Sequence, residues 1–389
     1  MANGDGGVAL LEKASTSDPN DCRERLLVEA KPPTNCRADI VKTPDTGTTH
    51  LPGFELSSGA TADAIPGVTQ KMSIDVDGKK RDVILHLPSN YDASKPVPLM
   101  LVFNGVGDGG SGMEEFTGMS KRADAQGFAV AYMDGTATGH SYNNHQWPFD
   151  NGADDVKYTS QVIDTLEKDL SIDAKRVGLV GFSQGGSFVH YAAGQLSDKI
   201  SSVAEVEGWM SGKESKTSSP ISELSIHGKD DRIIPFDGTD SMLKNAAIKA
   251  ITYASPLGPL TDVVAGVSHV LHGDSPLSIT PVELAAAALQ ELHNVYIEPQ
   301  KYTVDQYKKD DGITEKPYVY KNGNVTRTIY RNGETGATVE QLALDHGQHA
   351  WPGSTDHRND LPLIGQPSND VNATDEIVSF FMTHPKPGK

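Results

Sequence analysis

The sequence predicts an α/β fold, in which a mostly parallel sheet carries helices on both faces. Short apolar runs of strand length recur from residue 83 onward, and segments of helical apolar periodicity lie between the later ones. Strands that alternate with helices are typical of a parallel sheet buried on both sides. The 389 residues, 37% of them hydrophobic, can bury a large core, and no apolar run is long enough to cross a bilayer.

The individual elements follow from these two patterns. Runs rich in Val, Leu, Ile and Ala predict strands over residues 83–87, 99–103, 129–132, 176–180, 201–206, 224–227 and 341–344. Apolar residues spaced three and four apart predict helices over residues 114–126, 156–170, 188–196 and 375–382. Residues 240–300 interrupt this alternation, so we expect a helical, lid-like insertion there, with an oligomer interface as the alternative.

The N-terminal segment differs from the rest of the chain. Residues 1–62 are rich in Asp, Thr, Pro and Gly and have no sustained periodicity, which predicts an extended arm before a catalytic domain over residues 63–389. Cys22 and Cys36 are the only cysteines, and we expect them to form one disulfide. Because disulfides form and persist in oxidising compartments, this pairing would indicate an exported protein. The alternative is two free surface thiols in a cytosolic protein.

Charge narrows the classes of partner. The chain has 34 Lys and Arg against 52 Asp and Glu, a formal net charge of −18, which repels nucleic acid and anionic lipid surfaces. Residues 1–7 have neither the basic nor the apolar part of a signal peptide. From the charge we expect no nucleic-acid partner and no membrane insertion. From the expected disulfide we expect a secreted or periplasmic protein, whose signal would have been removed.

A Gly-x-Ser-x-Gly motif marks a possible nucleophile. Gly181-Phe182-Ser183-Gln184-Gly185 follows a predicted strand and precedes a predicted helix, the context in which such a serine is exposed on a strained turn. The alternative is an ordinary glycine-rich turn. Because a serine hydroxyl needs a base, and the base an orienting acid, we expect both later in the chain.

Candidates for the acid and the base follow two later strands. Asp230 and Asp231 come after the strand at 224–227, and His346 and His349 after the strand at 341–344. The carboxyl ends of parallel strands meet at one sheet edge, where the proposed serine also lies. From spacing alone either Asp and either His could serve, and the order Ser, Asp, His is that of α/β-hydrolases.

A glycine-rich loop after the strand at 99–103 allows two interpretations. Acyl transfer needs two N–H groups for the oxyanion, and we expect them from Gln184 and Val106. The same loop reads Gly105-x-Gly107-x-x-Gly110 and has Asp134 beyond it, which fits a dinucleotide-binding fingerprint and hence an oxidoreductase. That alternative leaves Ser183 and the acid and base candidates without a role.

Residues 66–385, apart from the insertion, resemble the α/β-hydrolase esterases that include polyhydroxybutyrate depolymerases and feruloyl or acetylxylan esterases. The matching segments are residues 98–105, 134–135, 154–156, 176–186, 227–231 and 349–353. The resemblance implies Asp231 as the acid and His349 as the base, with Asp230 and His346 as fallbacks, and implies that residues 302–312 resume the family pattern. Asn104 departs from it, because the family usually has His before this glycine.

The predicted function is a serine esterase, with no cofactor and no metal. Trp147, Trp209 and Trp351 follow strands at one sheet edge, and with Asn104 they are the candidate substrate-binding residues. Together with the resemblance they favour short-chain or aromatic esters, of feruloyl or hydroxyalkanoate type, in small or oligomeric substrates. The alternatives are a serine peptidase on the same fold and a non-catalytic binding protein; the oligomeric state is not predicted.

Overall fold

The computed structural model describes residues 55–56, 64–146, 149–238, 296–355 and 365–387. All of them belong to one unit of the chain, Thr49–Lys389. The predicted disulfide between Cys22 and Cys36, Trp147, and most of the 1–62 arm and of the 240–300 insertion lie outside the described residues.

The described strands form one sheet with a parallel centre. In chain order they are β1 (Glu55–Leu56), β2 (Thr69–Val76), β3 (Lys79–His86), β4 (Val97–Phe103), β5 (Ala129–Met133), β6 (Ile172–Phe182), β7 (Ser202–Val206), β8 (Ser222–Gly228), β9 (Tyr318–Asn322), β10 (Val325–Arg331) and β11 (Thr338–Leu344). Their order in the sheet is β1-β2-β3-β5-β4-β6-β7-β8-β11-β10-β9. The neighbours from β5 to β11 in this order pair in parallel, whereas β2, β3, β9 and β10 make antiparallel pairs. The fold is that of an α/β-hydrolase, as the sequence predicted.

The helices cover both faces of the sheet. They are α1 (Gly110–Thr117), α2 (Met119–Gln126), α3 (Asp155–Asp169), α4 (Gln184–Leu196), α5 (Gln300–Asp310) and α6 (Ala373–Thr383). Apolar residues of α3, α4 and α5 are buried in the core on one face, and those of α1, α2 and α6 in the core on the other. Among the described helices, none is long and apolar enough to cross a membrane.

One predicted helix is divided in two. The apolar periodicity over 114–126 predicted a single helix, but Gly118 stands between α1 and α2 with φ of 60°. A left-handed residue ends a helix because its N–H turns back to an earlier carbonyl, here that of Glu114 at 3.0 Å. Glycine adopts this conformation at little cost, so the chain changes direction at this residue.

Three strands with antiparallel neighbours, β2, β9 and β10, were not predicted from the sequence. In β2, buried and partly exposed residues alternate, with Met72, Ile74 and Val76 inward. This period-two alternation in the sequence is a signal that could have predicted the strand. The hairpin between β9 and β10 turns at Gly323-Asn324, and Gly323 has φ of 57°, a conformation that glycine favours in two-residue hairpin turns.

A buried carboxyl group joins α5 to the sheet. Asp311, directly after α5, is 4% exposed, and its Oδ1 accepts a hydrogen bond from the Ile221 N–H at 3.2 Å. Burial, opposed only in part by that N–H, raises the pKa of Asp311 to about 7. The folded protein therefore holds a proton on Asp311 at pH values where the unfolded chain has released it.

The Asp311→Asn variant should show a weaker dependence of stability on pH. A folded-state pKa above the unfolded value stabilises the protein at acidic pH, and this contribution is lost as pH rises toward 7. In urea titrations, wild type should lose up to about 4 kcal/mol of unfolding free energy through this group between pH 4 and pH 8. Asp198→Asn, at an exposed position, is the control and should follow wild type. Identical pH dependence in Asp311→Asn and wild type would contradict the assignment.

Candidate active site

The carboxyl ends of four neighbouring strands bring the candidate residues together. Ser183 follows β6 and Asp231 lies three residues after β8, while His349 is on the loop after β11. The strand β7 lies between β6 and β8 and ends just before Glu207. Because these strands are parallel, their ends meet at one edge, as the sequence predicted.

The turn at Ser183 has a strained backbone and two glycines that no other residue could replace. Ser183 has φ of 53° and ψ of −119°, a conformation rarely adopted by a residue with a side chain. A Cβ on Gly181 would lie 2.2 Å from the Gly185 oxygen, and one on Gly185 would lie 2.5 Å from the Asn104 oxygen. Helix α4 can therefore begin directly against the ends of β6 and β4, with the Ser183 side chain partly exposed.

Three side chains form a continuous hydrogen-bonded series. His349 Nε2 lies 2.9 Å from Ser183 Oγ, and His349 Nδ1 lies 2.7 Å from Asp231 Oδ2. An ionised carboxylate only accepts hydrogen bonds, so Nδ1 carries the hydrogen and Nε2 is free to accept the serine proton. This arrangement has the geometry needed to activate a serine hydroxyl.

The environment keeps Asp231 ionised although it is 5% exposed. Burial alone would raise its pKa, but His349, both by its charge and by its hydrogen bond, lowers the pKa of Asp231 below the ordinary value. The other oxygen, Oδ1, accepts hydrogen bonds from the Ile233 N–H at 2.7 Å and the Ile234 N–H at 2.8 Å. The carboxylate is thus fixed in direction as well as charged.

The two fallback residues pair with each other at the surface. His346 Nδ1 lies 3.3 Å from Asp230 Oδ2, and both side chains are more than half exposed. An exposed pair of this kind contributes little to stability. Of the four acid and base candidates, His349 is the one that contacts Ser183, and Asp231 is the acid that contacts His349.

The loop after β4 lies against the Ser183 turn. A Cβ on Gly105 would lie 3.0 Å from the Phe182 ring and 3.2 Å from Ser183 Cβ. Gln184 is the first residue of α4, so its N–H has no partner within the helix. The backbones of this loop and of Gln184 thus flank the serine from two sides, where oxyanion donors are needed.

Asn104 holds this loop from inside and is fully buried. Its Nδ2 lies within 3.0 Å of three carbonyl oxygens, those of Gly105, Asp108 and His140, and its Oδ1 accepts a hydrogen bond from the Tyr142 hydroxyl at 2.5 Å. The amide is therefore engaged within the protein. The expectation that Asn104 contacts substrate is corrected to a role in shaping the loop.

Tyr142 connects the same loop to the nucleophile turn. Its backbone N–H donates to Gln184 Oε1 at 3.0 Å, and its carbonyl accepts from Gln184 Nε2 at 2.7 Å. The Tyr142 hydroxyl at the same time bonds Asn104. One buried tyrosine thus links Gln184 to Asn104, at the start of the loop that carries Val106. Val106 and Gln184 are the two expected oxyanion donors.

The features of the dinucleotide fingerprint are occupied by other contacts. The Gly107 N–H donates to the Gly139 oxygen at 2.7 Å, and Asp134 Oδ1 lies 3.0 Å from His140 Nδ1. A pyrophosphate would need such loop N–H groups free. The geometry therefore favours the oxyanion interpretation of this loop over the dinucleotide interpretation.

The described tryptophans do not form an exposed aromatic edge. Trp209 and Trp351 are 0% and 1% exposed. Trp209 packs among Phe149, Ile234 and Ile297, whereas the Trp351 Nε1–H donates to Thr374 Oγ1 at 2.9 Å. The expectation that these two indoles bind substrate is corrected, because burial of their large apolar rings in the core is the stronger tendency; Trp147 lies outside the described residues.

Sequence analysis missed Glu207, His227 and Tyr142. Glu207 and His227 are fully buried beside Asp231, and these three residues form the group among the described residues whose types and spacing could hold a metal ion. The signal for Glu207 was available, because an acidic residue directly after a strand is placed at the same edge as Asp231. Tyr142 had no local signal, since its contacts come from distant parts of the chain.

Comparisons with known proteins identify esterases as relatives. Residues 142–270 match the family model described as Phospholipase/Carboxylesterase. The putative esterase NocK of Nocardia uniformis subsp. tsuyamanensis is 26% identical over 325 residues, 81% of this chain and 83% of that protein. Feruloyl esterase B of Piromyces equi is 29% identical over 277 residues, 69% of this chain and 42% of that protein.

A third relative is a bifunctional acetylxylan esterase/xylanase of Neocallimastix patriciarum, 33% identical over 168 residues, which are 43% of this chain and 24% of that protein. The chain therefore spans only about a quarter of this relative and less than half of the Piromyces enzyme.

A fluorophosphonate probe should label Ser183 and no other serine at equimolar concentration. The contact with His349 makes the Ser183 hydroxyl the activated one, so His349→Ala should slow labelling by ~100-fold or more. Ser187→Ala changes a buried serine one turn along α4 and should be labelled at the wild-type rate. Peptide mass spectrometry identifies the labelled residue; a label elsewhere, or equal rates in wild type and His349→Ala, would contradict the geometry.

Proposed function

We propose that this chain, an α/β-hydrolase related to the feruloyl and acetylxylan esterases, hydrolyses carboxylic esters through an acyl-enzyme on Ser183. The observation that carries the proposal is the series Ser183 Oγ, His349 Nε2 and Asp231, with contacts of 2.9 and 2.7 Å. Esterase relatives support the reaction class, and the site geometry supports the choice of residues.

In the first half-reaction, His349 Nε2 takes the proton from Ser183 Oγ as this oxygen attacks the ester carbonyl carbon. The resulting imidazolium is stabilised by the ionised Asp231. The tetrahedral intermediate then expels the alkoxide, which leaves as an alcohol with the proton from His349, and the acyl group remains on Ser183.

In the second half-reaction, water replaces the alcohol. His349 removes a proton from the water, the hydroxide attacks the acyl carbon, and the Ser183–acyl bond breaks as His349 returns the proton to Ser183 Oγ. The products are the carboxylic acid and the alcohol, and every group required for this cycle is supplied by the chain.

Two backbone N–H groups, those of Val106 and Gln184, would hold the oxyanion in both half-reactions. The support for this assignment is the approach of Gly105 to Ser183 and the clamp that Tyr142 forms on Gln184 and Asn104. Preorganised donors of this kind stabilise developing charge without reorganisation during the reaction.

The surroundings of the loop favour an apolar acyl group. Val106 and Ile233 are partly buried and pack against the cluster of Phe149, Trp209, Ile234 and Ile297, and they adjoin the oxyanion loop and Asp231. An apolar surface beside the reacting carbonyl suits short aliphatic or aromatic acyl chains. We therefore propose feruloyl-, acetyl- or hydroxyalkanoate-type esters of small or oligomeric alcohols as the substrate class.

The secreted or periplasmic location stays a prediction. It rests on Cys22 and Cys36, whose pairing would require an oxidising compartment.

Purified protein should hydrolyse nitrophenyl butyrate at neutral pH without added cofactor, and Ser183→Ala should abolish turnover. The loss should be roughly 10⁴-fold or more, because the nucleophile itself is removed. Initial rates on acetate and ferulate esters then rank acyl groups, and a nitroanilide peptide serves as the peptidase control. Turnover that persists in Ser183→Ala, or faster cleavage of the anilide than of the esters, would refute the proposal.

Tyr142→Phe should lower kcat by roughly 10-fold with little change in KM. The substitution leaves the buried Asn104 Oδ1 without its hydroxyl donor, at a cost of about 1–3 kcal/mol, and loosens the oxyanion loop. Tyr158→Phe is the matched control, since this buried tyrosine bonds the Asp82 carbonyl, away from the loop. Equal kcat values for the two variants would remove Tyr142 from the proposed machinery.

A further inference from the structure

A second buried carboxyl group lies beside the proposed catalytic acid. Glu207 follows β7, is fully buried and has φ of 51°. Its N–H donates to the Ile226 oxygen at 3.0 Å, and its Oε1 and Oε2 lie 3.0 and 3.1 Å from the Gly228 nitrogen. The strained backbone and these bonds aim the side chain at the space behind Asp231.

The carboxyl groups of Glu207 and Asp231 lie side by side, each with an oxygen within 4.8 Å of the other. His227 Nε2 lies 3.2 Å from Glu207 Oε2 and 3.6 Å from Asp231 Oδ2. Two ionised carboxylates this close would repel each other, and neither could donate a hydrogen bond, whereas one proton allows a hydrogen bond between them. Burial and the nearby negative charge of Asp231 raise the pKa of Glu207 well above its ordinary value, whereas His349 lowers the pKa of Asp231. The proton of the pair therefore belongs to Glu207.

The remaining groups around the pair are consistent with this assignment. His227 Nε2 lies 2.7 Å from the Ile234 oxygen, and because a carbonyl only accepts, this nitrogen carries a hydrogen. Burial lowers the pKa of His227, so its ring is neutral. Glu205, whose pKa is raised to about 7 by burial, adds a further acid on the same side and disfavours charge on Glu207.

A divalent cation is a weaker interpretation of the same cluster. Glu207, His227 and Asp231 have suitable residue types, but His227 Nε2 directs its hydrogen toward the Ile234 oxygen and has no lone pair for a metal. Asp231 Oδ2 is bonded to His349 Nδ1 at 2.7 Å, and a cation there would compete with the imidazolium formed during catalysis.

We propose that Glu207 is a positioning residue for the ester hydrolysis proposed above, on which this inference rests. As a neutral carboxylic acid it donates a hydrogen bond to Asp231, which holds that carboxylate in line with His349. It does so without adding a second negative charge, so the basicity of His349 is set by Asp231 alone. The groups that face Glu207 are Asp231, His227 and Glu205, with His349 beyond Asp231.

Two substitutions at Glu207 distinguish a role as a neutral hydrogen-bond donor from a role as a negative charge. Glu207→Gln keeps a neutral donor of the same shape, so kcat and the midpoint of the acidic limb of kcat/KM against pH should stay at their wild-type values. Glu207→Leu removes the donor, and kcat should fall roughly 10- to 100-fold with KM little changed, the effect of losing a hydrogen bond to a charged group. Both are compared only after circular dichroism has established folding.

Glu223→Gln is the matched control. Glu223 is a buried acid of β8 whose pKa is also raised well above the ordinary value, and it bonds Ser225 rather than Asp231. This variant should leave the pH profile unchanged. A lower acidic midpoint in Glu207→Gln would mean that an ionised Glu207 had been acting on His349, and loss of wild-type turnover in EDTA would favour a cation; either result overturns the proposal.

An infrared measurement decides the protonation of Glu207 independently of turnover. The difference spectrum of wild type against Glu207→Gln at neutral pH should contain the C=O stretching band of a protonated carboxylic acid, and no carboxylate band. A carboxylate band in its place overturns the inference even in an active enzyme. Wild type without any esterase activity would instead refute the proposed function, so the two failures are distinguishable.

Discussion

The close approach of three backbone segments around Ser183 is the constraint on which the rest of the site depends. Gly181 and Gly185 allow α4 to begin where β6 and β4 end. A Cβ on either glycine would lie too close to a neighbouring backbone oxygen. The parallel register of the sheet fixes where its strands end. The loops that carry Asp231 and His349 therefore begin at the same sheet edge as Ser183. The Ser183 turn and the loop after β4 are therefore held in place by the same backbone contacts.

The buried acidic groups around this arrangement contribute one ionised carboxylate, that of Asp231. Among the buried carboxyl groups of Glu205, Glu207 and Asp231, Asp231 is the one whose pKa is lowered, chiefly by His349 and against the effect of burial. Glu205 and Glu207 are fully buried and have raised pKa values, so burial favours their neutral forms. Burying several acids is tolerable because each neutral one has hydrogen-bonding partners, while the single charge faces the imidazole whose protonation it favours.

Burial also explains why Trp209 and Trp351 do not form the aromatic edge that the sequence predicted. An aromatic residue near a strand end can line a mouth or fill the core, and the sequence is the same in both cases. The Trp351 indole packs tilted against Phe116 and edge-on against Phe182. Trp209 belongs to a small buried cluster against which Val106 packs. At both positions the gain from burying a large apolar ring in the folded core keeps the tryptophan away from the surface.

The sequence by itself determined the alternation of strands and helices, the nucleophile turn, and the order of Ser183, Asp231 and His349, because these follow from local periodicity and from residues adjacent to strand ends. It left open the choice between Asp230 and Asp231 and between His346 and His349. The family resemblance implied Asp231 and His349, and these are the two that lie in hydrogen-bonding series with Ser183. The roles of Asn104, Tyr142 and Glu207 were decided only by the tertiary structure. Their contacts join residues far apart in the chain, and burial, which fixes both hydrogen bonds and pKa values, exists only once the chain has folded.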